Sequence, residues 1–297
     1  MLLGLKKYWP ILAIILVFFF FRLPALDQVY HQDEYRWAMQ ADPDIDDASP
    51  HPPLGKQFFR LVGIFLGFSW LRLGPLLFGF LGLVLIYFIV KRISGNKATA
   101  LIAAGLYSVN VYSVIANLQI DIDGALLPFF VLLGYYAYLN LKNNFGSKVW
   151  WCVFALAVAG GFMTKISFLL LIVTLLIDYG YDVYVSGGLR ISGVIKKYYK
   201  SLLSGLVFIA VFSFLYIKFQ NNVIDYAGHF NILNFASRAY FELAFKILKS
   251  FVWLSPILLL PTIAGLFDKE ILNRNRFWFI YIGINLIFYT ILFDFSK

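Results

Sequence analysis

Apolar runs long enough to cross a bilayer recur along this chain, and no water-soluble core of its size can hide them. A spanning helix needs about 20 apolar residues, and such stretches recur from residue 8 to residue 293. Of the 297 residues 61% are hydrophobic and only 14% charged, a balance that a soluble fold could not bury. The 32 Phe and 19 Tyr suit lipid contact and interfacial belts. The expected fold is therefore all-α, a polytopic transmembrane helical bundle forming a single domain over 1–297. The first run follows Lys6-Lys7 without a small-residue cleavage pattern, so it reads as an uncleaved helix rather than a signal peptide.

Nine spans are expected, over about 8–25, 73–91, 97–116, 123–141, 149–164, 166–182, 201–219, 247–266 and 277–293. Phe58 to Trp70 is too short and interrupted to span, and reads as an interfacial helix ending the first outer loop, 26–72. With the N-terminus in the cytoplasm, 14 of the 25 basic residues but only four of the 16 acids fall on the inner side. Every short inner loop then carries at least two basic residues, which favours that orientation. The net charge of +9 is thus a topology signal, and nucleic acid is not an expected partner. The single cysteine, Cys152, can form neither an internal disulfide nor a thiolate metal site.

The acids concentrate on the outer side, and most lie within residues 26–57. Asp33-Glu34 is an adjacent pair just past the first span; capping of a helix start explains such a pair as well as chemistry does. Asp42, Asp44, Asp46 and Asp47 suggest calcium, but Asp47 and Pro53 stand where an EF-hand loop needs glycine and glutamate. That leaves a solvated acidic turn or a looser metal site. His51-Pro52-Pro53-Leu54-Gly55-Lys56 is a stiff turn bearing an imidazole and an ammonium.

The second outer connection, 119–124, sets Asp121 and Asp123 at the membrane surface, where acids are costly unless they cap, pair or react. Lys165 sits between two spans with almost no loop, and Arg72 just precedes the second span; each either snorkels or faces a lipid phosphate. His229, Arg238 and Glu242 rank lower. Carboxylates and cations gathered on one face suit transfer of a sugar from a lipid phosphate. A carboxylate takes the proton of an incoming hydroxyl, and cations stabilise the departing phosphate. A divalent cation on carboxylates such as Asp33 and Asp123 would share that second task.

HPPLGK at 51–56, about 20 residues after Asp-Glu, resembles the protein O-mannosyltransferases of the GT-C superfamily. WLRLGPLLFGFLGLVLIYFIVKRISG, QIDIDGALLPFF and the Thr164-Lys165 pair resemble that family's second span, second outer loop and donor-side junction. The resemblance covers most of residues 8–182. It implies an inverting transferase of the outer face, in a prokaryotic plasma membrane or a eukaryotic endoplasmic reticulum. The donor would be a polyprenyl-phosphate sugar, mannose-like, and the acceptor a protein, lipid or glycan. Asp33 would be the catalytic acid/base with Glu34 supporting it. His51, Lys56 and Lys165 would serve donor or acceptor, and Asp123 would be the second acidic position. Family members have more spans and a longer C-terminal part, so a C-terminally truncated member is expected. Two rivals remain: a transporter or flippase of an anionic lipid-linked solute, which needs midspan charges and broken helices, and an inactive scaffold.

Overall fold

The computed structural model describes residues 2–42, 44, 52–185, 263–265 and 267–289, with single positions at 242, 245, 246 and 249. Among them all regular structure is helical. The chain divides into two compact units, one holding residues 1–168 and the other 169–250 and 263–297, besides a second stretch of the first at 251–262.

The first unit opens with α1 (Leu2–Phe20), followed by α2 (Gln32–Ala41), α3 (Pro53–Leu66) and α4 (Leu73–Ser94). Then come α5 (Lys97–Val109), α6 (Val111–Ala116), a π-helical turn (Ile122–Leu126), α7 (Leu127–Asn143) and α8 (Lys148–Thr164). The stretch expected as a helix from Phe58 to Trp70 is helical, but as α3 it begins five residues earlier, where Pro53 supplies a preset first helical φ. Gly95, left-handed at φ 67°, ends α4, and the Asn96 side chain caps α5 through the amides of Ala98 and Thr99.

Four helical stretches are long and apolar enough to span a membrane: Tyr8–Ala25, Phe68–Ser94, Ile122–Asn143 and Ile166–Val185. These coincide with four of the expected spans. The expected helix at 97–116 is broken at Asn110, whose extended backbone ends α5 and whose side chain caps α6 through Ser113 N. α8 and the helix at Arg276–Ile287 are apolar but shorter. The spans expected over 201–219 and, for the most part, 247–266 lie outside the described residues.

Buried Arg22 anchors the break. Its guanidinium donates to Phe18 O (3.0 Å), Ser108 O (2.9 Å) and Ser113 Oγ (3.1 Å), and stacks on the Phe18 ring at 3.8 Å. It therefore ties the end of α1 to the α5–α6 junction. Around it Phe18, Leu26, Leu76, Leu83, Ala104 and Leu118 form one apolar core. A second core joins Trp37, Ala38 and Ala41 of α2 to Phe59, Leu71, Ile120, Ile122 and Leu126.

The second unit contains α9 (Leu169–Val185), α10 (Lys269–Arg274) and α11 (Arg276–Ile287). Arg276 bridges Asp178 (2.8 Å) and Asp182 (2.7 Å), one turn apart on α9, and lies over the Tyr181 ring. One guanidinium thus serves two carboxylates and leaves the cluster with a net charge of −1.

Gly161 shows how closely α8 is packed: a Cβ there would collide with the Phe168 ring, which folds back from the short turn Ile166–Phe168. Gly161→Val should destabilise the protein by about 1–3 kcal/mol through overpacking. Adding Phe168→Ala should restore part of that loss in a thermal-unfolding double-mutant cycle, whereas additive losses would refute the contact.

Candidate functional site

The site forms where α2 meets the connection between α6 and the π-helical turn. α2 is amphipathic: Trp37, Ala38 and Ala41 face the core with Glu34 on the same side, while Asp33, Tyr35 and Arg36 are exposed. Adjacent acids on a helix point in different directions, so the Asp33-Glu34 pair is split between solvent and core.

Glu34 is fully engaged. Its carboxylate accepts from Arg72 Nη2 (2.8 Å) and Nε (3.1 Å), from His31 N (2.9 Å) and from Ile120 N (3.1 Å). The His31 bond caps the first turn of α2, as the capping explanation of the acid pair anticipated. The Ile120 bond ties that helix to the connection after α6, 86 residues on. Arg72 is equally committed, also donating to Ala25 O (3.0 Å), Gln28 O (2.7 Å) and Val29 O (3.2 Å). Both are buried. Burial raises the Glu34 pKa, but the hydrogen bonds from Arg72 and from the two amides, with the Arg72 charge, outweigh it and hold the carboxyl below its ordinary 4.5.

Asp33 is exposed and has no hydrogen-bond partner among the described residues. Lys56 lies half-buried in the first turn of α3. Its neighbour Gly55 explains the glycine of HPPLGK: a Cβ there would run into Ile122 Cγ2 and approach the Trp37 ring at 3.3 Å. The turn is thus pressed against the residue between Asp121 and Asp123. His51, Asp46 and Asp47 lie outside the described residues, as do His229 and Arg238, and Glu242 is described only as exposed. Asp42 and Asp44 form a local turn, with Asp44 N donating to Asp42 Oδ1 (3.0 Å).

Asp121 caps the π-helical turn by accepting from Ile122 N. Burial, reinforced by the nearby Asp123 charge, raises its pKa despite backbone hydrogen bonds and Lys165. Such π-turns leave helices irregular, often at functional sites. Asp123 opens the turn and pairs with Lys165 Nζ at 2.6 Å. Lys165 is the extended residue ending α8, and α8 packs along α7. This pair is partly exposed, Asp123 about half so, and contributes about 0–1 kcal/mol to folding. It can therefore exchange partners at little cost, unlike Glu34–Arg72.

The structure thus brings together Glu34, Arg72, Asp121, Asp123 and Lys165, with Asp33 and Lys56 on the helices that frame them. Among the described residues no group of three His, Cys, Asp or Glu side chains is placed to hold a metal ion, and Asp123 faces an ammonium. The role of Ile120 N was not legible, because a backbone amide leaves no mark in a side-chain pattern.

Residues 50–217, more than half of the chain, match the family described as dolichyl-phosphate-mannose-protein mannosyltransferase. No curated protein matches the chain. This protein belongs to that family, and its apolar helices make it an integral membrane protein. The matched segment takes in HPPLGK, Arg72, both aspartates of the second connection and Lys165, and begins after the Asp33-Glu34 pair.

Two outcomes follow from the Glu34 junction. Arg72→Leu should cost about 3–5 kcal/mol by stranding a buried carboxylate, and Arg72→Lys should recover little, since an ammonium cannot reproduce the two-pronged contact. Because folding lowers the Glu34 pKa, its stabilisation is complete above 4.5 and lost as pH falls through the lower folded value. Unfolding midpoints should fall over that acid range in the wild type, and less steeply in Glu34→Gln.

Proposed function

We propose that the protein transfers a mannose-like sugar from a polyprenyl-phosphate donor to a hydroxyl group of an acceptor, with inversion, on the extracytoplasmic face. The observation that carries this reading is the Asp123–Lys165 pair, set beside the loop that Glu34 fastens to α2. It offers an exchangeable ammonium at the end of a membrane helix, close to carboxylates and open to solvent.

In this mechanism the acceptor oxygen attacks the anomeric carbon as the bond from that carbon to the phosphate oxygen breaks. The electron pair leaves with the polyprenyl phosphate, and the hydroxyl proton passes to the Asp33 carboxylate. Lys165 moves from Asp123 toward the phosphate and stabilises its developing charge, with Lys56 and His51 as further cationic or hydrogen-bonding groups on the donor. Asp123 holds Lys165 until the donor arrives. Glu34 and Arg72 act as positioning residues, since their hydrogen-bonding capacity is taken up within the fold. A divalent cation, if held by Asp33, would supply further charge stabilisation for the departing phosphate. The lipid tail stays in the bilayer. The excess of basic residues on the opposite side supports the outward placement of this face.

The transporter reading draws on broken helices near Gly160-Gly161. There, however, glycine allows close packing on Phe130 and Phe168, and α8 continues unbroken to Thr164.

With the full chain in membranes, a polyprenyl-phosphate [14C]mannose donor and a hydroxyl acceptor, Asp33→Asn should lower transfer by about 10²–10⁴-fold. Lys165→Met should reduce it by about 10²–10³-fold, as loss of one transition-state charge contact would. Normal transfer by a well-folded Asp33→Asn variant would remove Asp33 as the base.

A further inference from the structure

A second feature of the first unit is not used by the transfer steps above. A cavity of about 560 Å³ opens between the connection after α1 and the turn before α4. Asp27, Gln28, Tyr35, Phe68, Ser69 and Trp70 line it. Its size is in the range of small-ligand sites.

Its walls are fixed from behind. Arg72 holds the 25–29 backbone through the carbonyls of Ala25, Gln28 and Val29. The Tyr30 hydroxyl donates to Phe68 O and fastens the two walls together. A cavity held this way loses little freedom when it is filled.

Its chemistry is selective. The Asp27 carboxylate, the Tyr35 and Ser69 hydroxyls and the Trp70 indole N–H have no protein partner among the described residues. Trp70, Tyr35 and Phe68 are substantially exposed for such large rings, at 50%, 59% and 44%. No basic side chain lines the cavity, and it carries a carboxylate, so it repels the donor phosphate. Tyr30 is a fourth aromatic residue of the lining, and the Arg72 guanidinium already lies over its ring at 5.2 Å, which leaves the faces of Tyr35, Phe68 and Trp70 for a ligand. Flat apolar faces interleaved with hydroxyls and a carboxylate acceptor match a pyranose ring, which has C–H faces and an equator of hydroxyl donors.

We propose that this cavity binds a neutral sugar ring of the acceptor, so that the protein extends or modifies a glycan-bearing acceptor. The acceptor role of that sugar rests on the transfer reading; the sugar binding itself does not. α2 carries both Asp33 and the Tyr35 wall, and Arg72 braces the cavity on one side and Glu34 on the other. Cavity and reaction site thus share one rigid junction.

The test is equilibrium binding of methyl α-mannopyranoside and of mannobiose to the full chain in nanodiscs, followed by saturation-transfer NMR. Saturable binding is expected, weakened on the order of tenfold by Trp70→Ala and measurably by Asp27→Asn, with Trp70→Phe retaining most of it. Inorganic phosphate and tetramethylammonium should not displace the sugar. Helical melting curves identify variants that fail to fold, and Trp70→Phe keeps the test decisive if Trp70→Ala is one of them. Absence of saturable binding, binding unaffected by both Trp70→Ala and Asp27→Asn, or displacement by tetramethylammonium would overturn the proposal. Asp33→Asn should bind sugar normally while losing transfer. Sugar binding in the cavity together with unimpaired transfer by Asp33→Asn would refute the transfer mechanism and leave the cavity assignment standing.

Discussion

The buried Glu34–Arg72 pair is the contact on which the arrangement of the connections around α2 depends. Removing two charges from water is expensive, and an interior ion pair repays that only when its remaining hydrogen-bonding capacity is met. Here it is met by backbone: His31 and Ile120 amides on the carboxylate, three carbonyls of the 25–29 segment on the guanidinium. One ion pair therefore fixes the start of α2, the connection after α1, the start of α4 and the connection after α6. A neutral pair of the same shape could not satisfy as many backbone groups at once.

The second ion pair has the opposite character. Asp123 is about half exposed at its contact with the less exposed Lys165, so water competes for the carboxylate and the contact adds little stability. In the proposed mechanism, a close ammonium–carboxylate contact that is cheap to open suits a cation that turns toward the donor phosphate. Apolar packing keeps its two parent elements in place: Gly55 against Ile122 on one side, Gly161 against Phe168 on the other. Buried charges thus set the frame, and exposed charges remain for chemistry.

Much of this was legible in the sequence because membranes impose strong patterns. Four long apolar helices lie where the hydropathy placed them, and Gly55 of HPPLGK packs on Ile122, between Asp121 and Asp123. Other features left no sequence signal. Asp33 and Glu34 are identical to a charge count, yet the rotation of about 100° between adjacent helical residues sends one to solvent and the other to Arg72. Arg72 read as either a snorkelling residue or a phosphate contact, and its pairing in the fold left no sequence signal because its partners are mostly backbone carbonyls. The break at Asn110 is hidden in an unbroken apolar run, since its cause is a side chain capping its own backbone while Arg22 takes up neighbouring acceptors. The long-range pairing of Arg276 with Asp178 and Asp182 spans nearly a hundred residues, beyond the reach of any local periodicity.

The central claim is that residues from the first outer loop and from the α8 junction form one reaction site. A double-mutant cycle on kcat/KM for sugar transfer, built from Asp33→Asn and Lys165→Met, tests it most directly. Groups that act on the same transition state are strongly non-additive, so the double variant should be little slower than the slower single variant. Losses that multiply in full would place the two residues in independent roles and contradict the single-site account.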